Sequence, residues 1–132
     1  MYIFAVAGNL SISGSCNGTY EIEENEITTP NFPSFYPNNK QCKWTIEVTH
    51  GKYIELKFEE FRLEISYSCS YDWLQIYDGG SINSSALAEK LCGTVKPSNI
   101  KSTGNKLFIE WESNYAQAYS GFKISASVKG MF

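Results

Sequence analysis

The stretch CSYDWLQIYDGG, residues 69–80, combines a cysteine, an alternating strand pattern and a glycine turn, and these signals decide the fold. Leu74 and Ile76 alternate with Trp73, Gln75 and Tyr77, and a period of two is typical of a strand with one buried face. The DGG that follows favours a tight turn. We therefore expect a short, half-buried strand that ends at a turn.

The same period of two recurs along the rest of the chain. Apolar side chains alternate with polar ones at residues 44–48, 54–58, 107–111 and 122–128. Turn residues such as His50-Gly51 and Gly104-Asn105 lie between these runs, and no helical pattern of useful length occurs. Short strands separated by turn signals predict an all-β fold, an antiparallel sandwich or barrel.

The composition indicates one folded domain with an acidic surface. The chain has 132 residues, which suits a single domain, and its formal net charge is −3. Nucleic-acid-binding proteins usually carry a basic stripe, and because no Lys/Arg cluster occurs we expect no nucleic-acid partner. No apolar run reaches the length of about 18 residues that a membrane span requires, so we expect no membrane insertion.

The sequence gives little support to a catalytic role. The single histidine, His50, lies in a turn and is expected on the surface, and no nucleophile motif such as G-x-S-x-G occurs. Glu64 and Glu112 could in principle form a glycosidase-like pair of carboxylates, but a small sandwich offers little concave pocket. We predict that the protein is not an enzyme.

Four cysteines, Cys16, Cys42, Cys69 and Cys92, are spaced widely along the chain. Their even number and the lack of close pairs favour two disulfides over a zinc site. Three pairings are possible. The sequential one, Cys16–Cys42 and Cys69–Cys92, would close two loops of about 25 residues and stabilise the fold by roughly 3–4 kcal/mol each. Because disulfides persist in oxidising compartments, we expect a secreted, extracellular protein.

Residues 1–14 are expected to form an N-terminal tail outside a domain at residues 15–130. The AVA at residues 5–7 resembles the end of a secretory signal peptide, although the basic start of such a peptide is missing. A truncated or engineered start, or an ordinary first strand, fits the same residues.

Three N-x-[ST] sequons occur, and they make Asn9, Asn17 and Asn83 candidates for N-glycosylation. Sequons arise often by chance, and Asn17 directly follows Cys16, which would hinder its modification. As a set, the sequons agree with the secreted location that the cysteines predict.

Several short motifs follow one another in a recognisable order: TPNFPSFYP at 29–37, CKW at 42–44, the stretch at 69–80, LCG at 91–93 and GF at 121–122. In this order and at these spacings, the chain resembles a CUB domain from Cys16 to about Val128. The resemblance implies a β-sandwich of the jelly-roll type, the sequential disulfide pairing, and an extracellular module that is often one of several in a larger protein.

The resemblance also implies a calcium ion at one end of the sandwich. The ligands that it implies are Glu64, Asp72 and Glu112 with a further oxygen from Asn114, and the supporting residues are Tyr36, Ser113 and Tyr115. Calcium takes six to eight oxygen ligands in a flexible geometry, which suits such a set. The family usually has aspartate where this chain has Glu112, so the calcium affinity is expected to differ.

The predicted function is calcium-dependent binding of an extracellular protein, whose Lys or Arg side chain the acidic end captures. The alternative is a carbohydrate-binding, lectin-like protein or a structural protein of a secreted matrix, in which exposed aromatic rings stack on sugars. The candidate rings for that role are Phe35, Tyr67, Trp73, Tyr77, Tyr115 and Tyr119.

Overall fold

Two β-sheets face each other in the computed structural model, which describes residues 17–21 and 24–130. Strands are numbered in chain order. The first sheet contains, in spatial order, β1 (Asn17–Glu21), β3 (Gln41–Glu47), β8 (Lys106–Glu112), β5 (Trp73–Asp78) and β6 (Ser85–Ala86). The second contains β2 (Glu24–Thr28), β9 (Gly121–Lys129), β4 (Tyr53–Arg62) and β7 (Ile100–Lys101).

The core lies between the sheets and is built from the alternating residues that the sequence indicated. Trp44, Ile76 and Ile109 from the first sheet and Leu56 and Phe122 from the second are completely buried. Each of the predicted alternating runs coincides with one of the strands β3, β4, β5, β8 and β9. The predicted all-β sandwich is therefore confirmed.

The strands at the sheet edges differ from one another in direction and in length. All pairs among the central strands are antiparallel, whereas β1 runs parallel to β3 at one edge of the first sheet. Of the other edge strands, β2 has five residues, whereas β6 and β7 have two each. Such short edges expose few unpaired backbone groups to a neighbouring chain.

One of the expected disulfides is described in full. Cys69 and Cys92 are bonded, with their Cα atoms 5.6 Å apart, and Cys69 ends a short 3-10 turn at Tyr67–Cys69. Cys42 is also disulfide-bonded, but its expected partner Cys16 lies outside the described residues. The expected tail at residues 1–14 lies outside them as well.

One end of the sandwich gathers the residues to which the sequence assigned a function. Gln41 at the start of β3 and Trp73 at the start of β5 both pair with Glu112 at the end of β8. In the second sheet, the end of β4 at Arg62 pairs with the start of β9 at Gly121. The loops that leave these strands therefore meet at this end, called here the Asp72 end.

Within the described part of the chain, no helix has the length and apolar character that crossing a membrane would require.

Candidate metal centre

Asp72 is the most enclosed acidic residue of the Asp72 end. It directly precedes β5 and is completely buried. Its Oδ2 accepts a hydrogen bond of 2.6 Å from the Tyr36 hydroxyl, and its Oδ1 accepts one of 2.7 Å from the backbone N–H of Asn114. One carboxylate thus joins the proline-rich loop before β3 to the loop after β8.

Tyr36 is the second fixed point of the site. Its hydroxyl donates to Asp72 and accepts a hydrogen bond of 3.2 Å from the backbone N–H of Glu64. Its ring packs edge-on against Trp111, with 5.2 Å between the ring centroids. Burial, followed by the hydrogen bond to Asp72, raises the pKa of Tyr36 well above its usual range. The hydroxyl therefore remains a proton donor to Asp72 at physiological pH.

Glu64 lies beside Asp72 in a poorly solvated position. Only 8% of the residue is exposed, and its Oε1 is buried with no hydrogen-bond partner in the described part of the chain. Burial raises the pKa of the Glu64 carboxyl. The negative charge of Asp72 and a side-chain hydrogen bond between Glu64 and Asp72 raise this pKa further. A buried oxygen without a partner next to a second carboxylate is a position that a cation would stabilise.

Asn114 reaches the site through its backbone. Its N–H donates to Asp72, and its carbonyl oxygen accepts a hydrogen bond of 2.8 Å from the N–H of Asn39. The side-chain oxygen accepts one of 3.2 Å from the N–H of Ala116, which leaves one lone pair of that oxygen for another partner. Asn114 is thus next to Asp72 and carries the neutral oxygens that calcium also accepts.

Ser113 supports the site by holding two loops together. Its hydroxyl donates to the carbonyl oxygen of Pro37 at 2.7 Å and accepts from the N–H of Lys40 at 3.0 Å. Its own N–H donates to the Lys40 carbonyl at 2.8 Å. With its hydroxyl engaged by backbone groups, Ser113 positions the loop after β8. Tyr115, the other predicted supporting residue, is largely exposed.

Glu112, the third predicted carboxylate ligand, lies at the end of β8. No described contact joins it to Glu64 or Asp72, so the site proposed for calcium does not include it. Trp111 points into the core, and because neighbouring strand residues face opposite sides, Glu112 faces away from it. There the Glu112 Oε2 lies 3.4 Å from the side-chain nitrogen of Gln41. Within the described residues, no cluster of three His, Cys, Asp or Glu side chains is placed to hold a metal.

Two of the candidate sugar-stacking rings are also less accessible than the sequence suggested. Trp73 is buried with the Lys90 amino group 4.2 Å from its ring centroid, and Tyr77 is buried beside Phe108. Both belong to β5 and face away from the core, but neighbouring side chains cover them. The predicted stacking surface is therefore reduced to Phe35, Tyr67 and Tyr115, which are exposed, and the partly buried Tyr119.

Comparison with known sequences identifies the family. The sequence model of the CUB domain matches residues 16–125. The chain belongs to the CUB domain family. CUB domains are non-catalytic, extracellular protein-interaction modules. This CUB domain is 39% identical to human cubilin over 112 residues, which cover 84% of the chain and 3% of cubilin. The chain thus spans a small part of that relative.

Solved structures of other CUB domains have the same fold. The extracellular region of zebrafish Gpr126 matches with a TM-score of 0.79 and 28% identity, over 89% of this chain and 15% of that one. The CUB2 domain of MASP-1, solved bound to Ca²⁺, matches with a TM-score of 0.73 and 26% identity, over 86% of this chain and 97% of that one.

Proposed function

We propose that this CUB domain is a secreted binding module that holds one calcium ion with Glu64, Asp72 and Asn114. In this proposal, the calcium-loaded end captures a Lys or Arg side chain of an extracellular protein. The observation that carries the proposal is the buried Oε1 of Glu64, which has no hydrogen-bond partner in the described part of the chain and lies beside a second carboxylate.

The charges of the site favour a divalent cation. Two ionised carboxylates at a buried position repel each other, and a bound Ca²⁺ would balance both charges. Calcium prefers carboxylate, amide and carbonyl oxygens and fills its remaining positions with water. The Ca²⁺-bound CUB2 domain of MASP-1, which shares the fold, supports the same choice of ion here.

The affinity is expected to be modest. The proposed ligand set contains two carboxylates, Glu64 and Asp72, and the charge count of the ligands sets the affinity of such sites. We therefore expect a dissociation constant in the range of extracellular calcium modules, about 10⁻⁴ to 10⁻³ M.

The choice of a basic partner follows from the same carboxylates. A carboxylate that holds calcium with one oxygen can accept a hydrogen bond from an ammonium or guanidinium group with the other, and charge-assisted bonds of this kind are strong. The chain as a whole is acidic, with a net charge of −3, so a basic partner would also be attracted from a distance.

The proposal can be tested with an immobilised peptide that contains lysine, measured by biolayer interferometry in 5 mM calcium and in EDTA. We expect binding in calcium that is lost in EDTA and in the variant Glu64→Gln. Glu112→Gln is the matched control, because it removes the same charge from a residue outside the proposed ligand set, whose Oε2 accepts a hydrogen bond from Gln41. Equal binding by both variants would show general attraction to an acidic protein and would refute the proposal.

A carbohydrate ligand is the second candidate, and the exposed rings of Phe35, Tyr67 and Tyr115 are the observation in its favour. A glycan array probed with and without EDTA separates the two cases. A sugar signal that does not depend on calcium would favour a lectin over calcium-dependent capture of a basic side chain.

A further inference from the structure

We propose that exposed apolar side chains around Glu64 and Asp72 form a docking surface for a protein segment in which the captured Lys or Arg is flanked by apolar residues. The surface, called here the apolar rim, consists of Phe35, Ile65, Tyr67, Tyr71, Val95 and Tyr115. This inference rests on the proposed capture of a basic side chain and specifies the partner's chemistry on either side of it.

The distribution of exposed apolar residues is uneven. Tyr67 is 92% exposed and Val95 83% exposed. Among the described residues, Ile82 is the exposed large hydrophobic that does not belong to the rim, and it follows the far end of β5. Single exposed hydrophobic residues are ordinary, whereas a group of them at one end indicates an interaction site.

Four rim residues are direct chain neighbours of the residues that form the site. Phe35 precedes Tyr36, Ile65 follows Glu64, Tyr71 precedes Asp72 and Tyr115 follows Asn114. The four site residues are joined through Asp72 and the Tyr36 hydroxyl, with bonds of 2.6 to 3.2 Å. The rim side chains therefore leave the backbone at points around the acidic centre.

Tyr67 and Val95 are attached to the same end by the segment that contains Cys92. Leu63 and Gly93 exchange two backbone hydrogen bonds, at 2.9 and 3.2 Å, and the disulfide joins Cys92 to Cys69. The Ile65 side chain packs over Gly93, where a Cβ atom would lie 3.6 Å from its Cδ1. These contacts hold Gly93, two residues before Val95 in the chain, against Ile65.

The loop that presents Tyr67 is held in one conformation by local bonds. The N–H of Cys69 donates to the Ser66 carbonyl and the N–H of Tyr71 to the Ser66 hydroxyl, both at 3.1 Å. Ser68 has a φ of 55°, in the left-handed region that a non-glycine residue adopts when its surroundings impose it. A preorganised loop loses little entropy when a partner docks.

The chemistry of the rim defines the segment that it fits. Apolar side chains around a buried carboxylate pair exclude water from a bound cation, and exclusion of water strengthens the electrostatic attraction. Tyrosine rings also attract ammonium and guanidinium groups through their faces. A partner segment with a basic side chain between two apolar residues pairs with the carboxylates and packs against the rim. A segment with a basic side chain between polar residues pairs with the carboxylates alone.

The test compares two immobilised peptides, one with the core Leu-Lys-Leu and one with Ser-Lys-Ser, in 5 mM calcium. We expect the leucine-flanked peptide to bind roughly tenfold more tightly, because burying even part of a leucine side chain gives a gain of that order. Equal affinities would overturn the rim while leaving the capture of lysine intact. Tight binding of the leucine-flanked peptide in EDTA or by Glu64→Gln would retain the rim and refute the calcium-dependent capture. No binding of either peptide would overturn both.

Matched substitutions test whether the preference for the leucine-flanked peptide arises at the apolar rim. Ile65→Ser should reduce the preference for leucine while leaving the calcium affinity unchanged, whereas Ile82→Ser, the same change at the other end, should preserve the preference in full. Equal losses in the two variants would overturn the rim. A second copy of the chain is the competing occupant, and a dimer in sedimentation equilibrium that Ile65→Ser dissociates would replace the proposal with self-association.

Discussion

The substitution Glu64→Gln should separate two effects of the Glu64–Asp72 pair on stability. With calcium bound, the pair stabilises the fold; without calcium, the ionised Glu64 carboxylate destabilises it. It removes one charge and preserves the shape of the side chain, and the new amide can donate a hydrogen bond to Asp72. The measurement is thermal unfolding of the wild type, Glu64→Gln and Glu112→Gln, each in 5 mM calcium and in EDTA.

The expected calcium effect can be worked out for the wild type. With a dissociation constant of about 10⁻³ to 10⁻⁴ M, 5 mM calcium stabilises the folded state by about 1 to 2.3 kcal/mol. For a chain of 132 residues, this corresponds to a rise in Tm of about 3 to 10 °C. The rise should disappear in Glu64→Gln and remain in Glu112→Gln, whose carboxylate lies beside Gln41.

In EDTA, the wild type should lose its advantage in stability over Glu64→Gln. The raised pKa of Glu64 means that its ionised form is destabilised in the fold, by about 1.4 kcal/mol for each pH unit of the rise. Glu64→Gln should therefore unfold at a temperature no lower than that of the wild type in EDTA. A calcium-dependent rise that persists in Glu64→Gln, or an EDTA Tm well below that of the wild type, would refute the reasoning about the pair.

The remaining predictions concern the groups around the pair. In EDTA, the wild type should lose stability relative to Glu64→Gln as the pH rises from about 4.5 towards 7, because a raised pKa favours the protonated fold; urea unfolding at several pH values measures this. Tyr36→Phe should cost about 1–3 kcal/mol in the same assay and weaken calcium binding, because it removes the donor to Asp72 and the acceptor for the Glu64 N–H. Replacing both Cys69 and Cys92 with alanine should cost about 3.5 kcal/mol by loss of the loop constraint and should also lower the calcium affinity, with calorimetry as the readout. Asn83 is exposed in a turn, so secreted protein should shift in mass after glycosidase treatment, and Asn83→Gln should abolish any shift due to this residue.

The strands were predictable from the sequence because their signal is local. Alternation of apolar and polar residues places one side of β3, β4, β5, β8 and β9 in the core without reference to the rest of the chain. The edge strands β6 and β7 have two residues each, too few for any period, and their pairing depends on the strands beside them. The parallel pairing of β1 with β3 likewise depends on the path of the chain.

The site was predictable only in part, because its residues come from separate loops. Hydrogen bonds join the Tyr36 hydroxyl to Asp72, the Asn114 N–H to Asp72 and the Glu64 N–H to the Tyr36 hydroxyl, whereas calcium coordination by these residues stays a prediction. Glu112 was predicted from the family resemblance alone, and the alternation of Leu107, Ile109 and Trp111 places its side chain on the side of β8 that faces away from the core.

The rim had a weaker signal in the sequence. Phe35, Tyr67 and Tyr115 were expected among the exposed aromatic residues, but Ile65 and Val95 are exposed apolar residues in loops without a periodic pattern. The Leu63–Gly93 hydrogen bonds and the Cys69–Cys92 disulfide bring the segments of these residues together. Such contacts between distant parts of the chain leave no local signal in the sequence.

In the proposed function, the buried Glu64–Asp72 pair holds one calcium ion. Isothermal titration of the metal-free protein with calcium chloride tests it most directly. We predict one site per chain with a dissociation constant of about 10⁻⁴ to 10⁻³ M, absent in Glu64→Gln and retained in Glu112→Gln. No heat of binding at millimolar calcium, or the same isotherm for the wild type and Glu64→Gln, would contradict the claim.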